Sequence, residues 1–217
     1  MGFFSTLLNF FGFDLNVNGQ TPLPPKTVQK SVPFDTQIET FRKLGFILNS
    51  DRTADIESDL RRQKEIENNP YSYLYTEFGG TINREPWTPI GDRCWDFDTE
   101  AIEDHGAYVE IMQNLERITR GELKFDNLKD FVDVENENAW VSFSIGGSEY
   151  KWNLKVDNDW IDPELFTKLV ALTNKLKTKG RYTVFNTGGQ NVVIGFETPQ
   201  HTNAIIKSTG LNVEWLD

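Results

Sequence analysis

Residues 139–156 constrain the fold more than any other stretch. On either side of Gly146-Gly147 the side chains alternate. Val141, Phe143 and Ile145 share one side, as do Tyr150, Trp152, Leu154 and Val156, while Glu149, Lys151, Asn153 and Lys155 take the other. Successive side chains of a strand point to opposite faces, so this is an antiparallel hairpin with one dry face and one wet face. Such a pair needs something apolar to lie on, and several segments with helical periodicity offer it.

The plainest of these is Gly106–Arg120, with Tyr108, Ile111, Met112, Leu115 and Ile118 on one stripe. Asp162-Pro163-Glu164 opens another, with Leu165, Phe166, Leu169, Leu172 and Leu176 inward and Gly180 as its stop. Thr198-Pro199 opens a third, ending at Gly210. Arg93–Asp98, Arg181–Phe185, Asn191–Glu197 and Leu211–Leu216 read as strands, and Tyr73–Ile82, broken by Gly79-Gly80, reads as a hairpin. Hairpins dominate this order. The expected class is α+β, a largely antiparallel sheet with helices packed on one face.

Three regions are expected. Residues 1–33 are an apolar segment followed by a Pro-rich linker, and the 13 residues from Met1 to Phe13 are too few to span a bilayer. Residues 34–70 form a helical pair, the first helix carrying Ile38, Phe41 and Leu44, the second running from about Asp51 to Glu67. Residues 71–217 form the α+β domain.

The charge is uneven. The whole chain has 33 acids and 22 bases, and residues 92–164 alone hold 19 acids and 7 bases, whereas residues 165–217 hold 3 acids and 6 bases. An overall charge of −11 argues against nucleic-acid binding through the bulk surface. Two readings of the acidic block stand: a solubility device, or a face that steers a basic partner. In the second, the contact residues are Asp96, Asp98, Asp104, Asp157, Asp159 and Trp160, with the indole as anchor.

Chemistry-bearing patterns are few. Asp96 and Asp98, one residue apart on a strand, point the same way, and with His105 suggest a divalent-metal hydrolase as the rival reading. Asp96-Phe97-Asp98-Thr99 resembles the Asp-x-Asp-Thr motif of haloacid dehalogenase-type phosphatases, but Gly91-Asp92-Arg93-Cys94-Trp95 replaces the apolar run that motif follows. Asp157–Asp162 lacks the Gly and Glu of a calcium-binding EF-hand loop. Cys94, the single cysteine, excludes an internal disulfide framework and reads as a buried thiol in a reducing compartment. No catalytic residue, metal or cofactor is assigned.

The stretch from Trp95 to Gly106 and the ending Thr209–Leu216 resemble acidic cytosolic bacterial proteins of the polymorphic-toxin immunity type. That resemblance implies a cytoplasmic, non-enzymatic module that binds a basic protein. A third expectation is a structural adaptor docking through residues 1–33.

Overall fold

The computed structural model describes residues 31–48, 59–82 and 88–217. The N-terminal apolar segment and most of the Pro-rich linker lie outside them, as does the expected start of the second helix at Asp51. Among the described residues the chain forms α1 (Phe34–Lys43), α2 (Leu60–Asn68), α3 (Ser72–Gly79), β1 (Thr81–Ile82), β2 (Thr88–Pro89), β3 (Cys94–Asp98) and α4 (Ala107–Ile118). These are followed by β4 (Asp126–Asp133), β5 (Asn138–Ile145), β6 (Ser148–Lys155), α5 (Glu164–Leu176), β7 (Arg181–Asn186), β8 (Asn191–Glu197), α6 (Pro199–Thr209) and β9 (Val213–Trp215). The class is α+β, and every strand pairing among the described residues is antiparallel.

Two larger sheets result, one of order β4-β5-β6 and one of order β3-β8-β7-β9. The chain passes from the second to the first through α4 and returns through α5. The expected hairpin is β5–β6, with Val141 opposite Trp152 and Phe143 opposite Tyr150. Its turn places Gly146 and Gly147 at φ of 57° and 79°, a left-handed pair that glycine adopts at no steric cost. One face of the three-stranded sheet enters a core with the buried stripes of α4 and α5, together with Phe97, Tyr182, Val184, Ile194 and Phe196 from the other sheet.

Helices on one face describes that three-stranded sheet. The four-stranded sheet is covered on both sides, and β8 shows why: Val192 through Glu197 are buried without alternation, the pattern of a strand with no wet face. Its second face, including Cys94, Phe185, Val193 and Val213, packs on Phe34, Phe41, Phe46, Leu74, Tyr75, Phe78 and Ile205. Phe41 centres this second core, its ring 4.9 Å from Phe78 and 5.5 Å from Phe46. Buried Gln37 joins the small helices by donating to the Val32 and Ile66 carbonyls and accepting from the Tyr71 amide.

Three local expectations are corrected. Residues 72–79 are helical, not a hairpin arm, because Leu74, Tyr75 and Phe78 recur at helical spacing toward the Phe41 cluster. Residues 126–133, unassigned from sequence, form an edge strand. A register shift between Asp126 and Lys129, with Asn127 at φ 57°, breaks the alternation that would have revealed it. Finally, α5 ends at Leu176, 40% exposed, because Lys177 turns left-handed at φ 55°; Gly180 lies beyond the stop.

Candidate functional site

The loops that follow β3 and β6 each carry part of the acidic block, and the fold ties them together. The Ile102 amide donates to the Asp159 carbonyl at 2.8 Å and the Ile161 amide to the Thr99 carbonyl at 3.0 Å. Glu100 and Trp160 form an antiparallel bridge between these contacts, and a second bridge links Trp160 to Asp157. Thr99, Ile102 and Ile161 are buried under the junction. Asp98, Glu100, Asp157, Asp159 and Trp160 therefore share one backbone-stapled surface, although nearly 60 residues separate the two loops. Asn158, at φ 59°, makes the tight turn that exposes Asp157. Gln190, from the β7–β8 turn, donates to Asp98 and to Glu100 Oε2, holding two like charges side by side.

Among the described residues, none of Asp98, Glu100, Glu103, Asp157 or Asp159 lies within ion-pairing distance of a Lys, Arg or His side chain. Among the described residues, the negative charge of this surface is thus not neutralised by a direct ion pair. Trp160 sits half-buried, its ring against the core beneath.

Asp104 is exposed farther along the first loop. Its carboxylate accepts from its neighbour's backbone and ring, the His105 amide at 2.6 Å and Nδ1 at 2.9 Å, which holds its pKa below the usual range. It does not cap α4. That role falls to Asp130 on β4, whose Oδ1 accepts from the Gly106 amide and whose Oδ2 accepts from the Gly106, Tyr108 and Val109 amides. Asp162 does cap α5, accepting from the Glu164 amide through one oxygen and from the Lys155 amide through the other.

Asp96 stands apart. It shares a strand face with Asp98, but lines a cleft of about 310 Å³ between α3 and β3, with Tyr73, Thr76, Glu77, Gly80, Thr81 and Ile90. Its Oδ1 is buried, with no hydrogen-bond partner among the described residues. Burial pushes the carboxyl up to about 6; the Asn191 side chain opposes the rise, and the charges of Asp98 and Glu77 add to it. His105 packs its ring on Phe131, 5.0 Å away. Asp96, Asp98 and His105 do not come together, and among the described residues no group of three or more His, Cys, Asp or Glu is arranged to hold a metal ion. Cys94 is buried, and burial raises its thiol pKa well above the ordinary value.

A buried ionic cluster escaped the sequence reading. Glu197, 2% exposed, contacts Arg93, Arg120 and His201. The only signal was a carboxylate closing the apolar run of β8, where a solvated end was the simpler reading. Comparison with protein-family models, with curated proteins and with solved structures finds no match for the chain. Among the described residues no helix is long and apolar enough to cross a membrane.

Proposed function

We propose that the chain is a non-enzymatic protein-binding module that engages a basic partner through the surface of residues 98–104 and 157–160. The observation that carries this reading is the stapling of two acidic loops around Trp160 with no cation in ion-pairing reach of Asp98, Glu100, Asp157 or Asp159 among the described residues. Rigid like charges raise the rate of encounter with an opposite surface, and a half-exposed indole among them supplies apolar contact area. The specific form is a cytoplasmic immunity protein that occludes the basic cleft of a toxin, in keeping with the resemblance of the acidic stretch and of the C-terminus. A single buried thiol suits a reducing cytoplasm.

The test is isolation of the protein with its partner from native cells, followed by association kinetics of the purified pair. Asp157→Lys together with Asp159→Lys is expected to slow association about tenfold or more while leaving thermal unfolding in place, and the wild-type rate is expected to fall with added salt. Equal association rates for the two proteins overturn the reading.

A further inference from the structure

The cleft between α3 and β3 has features that the loop surface does not explain. Its walls are mixed: the Tyr73 ring and Ile90 offer apolar contact, Thr76 and Thr81 offer hydroxyls, and Asp96 supplies the charge. The helix end and the strand meet at backbone contact, because a β-carbon on Gly79 would collide with the Asp96 amide nitrogen and the Trp95 carbonyl carbon. The cleft wall beside Asp96 is therefore rigid.

Arg62 borders the cleft at Glu77 and Tyr73, but carboxylates are the charges that act on Asp96. Glu77 faces Asp96 from α3 and is itself paired with Arg62 of α2 at 3.5 Å. Asp98 and the Cys94 thiol, kept neutral by burial, flank Asp96 on its own strand, and the Asn191 side chain, from β8, hydrogen-bonds the Asp96 carboxyl. Among the described residues, the neighbouring charges that act on Asp96 are negative and Oδ1 has no donor. A buried acceptor left in this state carries an uncompensated desolvation penalty. Strained and perturbed groups of this kind cluster at ligand-binding and active sites.

We propose that this cleft binds an organic cation, a primary ammonium or guanidinium group on a short apolar stem, with Asp96 Oδ1 accepting its N–H and Tyr73 and Ile90 contacting the stem. A metal ion fits worse, since among the described residues no third ligand joins the two carboxylates. The volume, about 310 Å³, suits a ligand of the size of a lysine side chain or a small free amine. The site is independent of Asp157 and Asp159, so each can fail alone.

The test uses the full chain, amide NMR shifts of Thr76, Gly80 and Thr81, and three probes: n-butylammonium, n-butanol and a lysine blocked at both ends. Butylammonium is expected to shift these amides saturably and butanol is not. Asp96→Asn is expected to weaken butylammonium at least tenfold without lowering the unfolding midpoint. In the unmodified protein, affinity is expected to rise about tenfold from pH 5 to pH 7 as Asp96 ionises. Tighter binding of the blocked lysine supports a protein side chain as the occupant, and tighter binding of butylammonium supports a free amine. Equal binding of butanol and butylammonium, undiminished binding to Asp96→Asn, or no response to any cation overturns the proposal.

Discussion

Arg93 Nη1 donates to both carboxylate oxygens of Glu197, at 2.9 and 3.0 Å, across 104 residues of chain. The same guanidinium donates through Nε to the Gly45 carbonyl and lies over the Phe46 ring. His201 adds a second tie, with Nδ1 2.7 Å from Glu197 Oε2 and Nε2 2.7 Å from the Leu44 carbonyl oxygen. A carbonyl only accepts, so Nε2 carries a proton. One buried carboxylate thus joins the end of α1 to the four-stranded sheet and to α6. Glu197→Ala leaves Arg93, Arg120 and His201 without their acceptor and is expected to cost about 3 kcal/mol or more in urea unfolding.

Acid should act through the same group. Burial alone would raise the Glu197 pKa, but His201, Arg93 and Arg120 more than offset it and hold it below its ordinary value of 4.5. A depressed folded pKa means that the stabilisation is complete above 4.5 and is lost as pH falls through the folded value. Denaturant midpoints measured from pH 6 down to pH 3 are expected to drop, and Glu197→Gln is expected to start lower and flatten that limb.

Asp96 has the opposite sign. Its folded pKa, about 6, lies above its ordinary 3.8, so stability is lost as pH rises between those values. The shift bounds the effect at roughly 3 kcal/mol, and partial exposure of the carboxyl reduces the expected gain for Asp96→Asn to about 1 kcal/mol. Calorimetry should find that gain above pH 6 and none below pH 3.8.

Asp130→Ala removes the acceptor of three amides at the start of α4 and is expected to destabilise by about 1–2 kcal/mol. Asp104→Ala, whose side-chain contacts among the described residues are with His105 alone, is expected to stay within about 0.5 kcal/mol. Denaturant unfolding of both variants checks the assignment of the cap.

Gly79→Ala should be severe for a residue with no unusual backbone angle. The added methyl meets strand backbone, which cannot rotate away as a side chain does. A loss of about 2–4 kcal/mol is expected in thermal unfolding, together with changed amide shifts at Asp96.

Alternation made β5 and β6 legible, and helical stripes did the same for α4 and α5, because each depends on one face being wet and the other dry. Where that contrast fails, so does the reading. Helix α3 reads as a strand in sequence because Tyr73, Tyr75 and Phe78 suit either element, and only the Phe41 cluster selects the helix. The bulge at Asn127 hid β4 in the same way. Among the site residues, Asp157, Asp159 and Trp160 were legible as one loop from their spacing. Their junction with Asp98 and Glu100 was not, since it depends on β3 and β6, strands of different sheets, ending at the same place.

By itself the sequence determined the α+β class, the β5–β6 hairpin and a concentration of carboxylates in residues 92–164. Periodicity and charge are local properties that need no partner segment to be read. Tertiary structure alone decided which acids act together and which stand apart. It gathered Asp98, Glu100, Asp157 and Asp159 at one rim, turned Asp96 into a cleft against α3, assigned Asp130 to the helix cap, and buried Glu197 against Arg93, Arg120 and His201. The physical reason is that a carboxylate's role is set by its solvation and by the charges within a few ångströms. In this fold those neighbours come from chain tens of residues away.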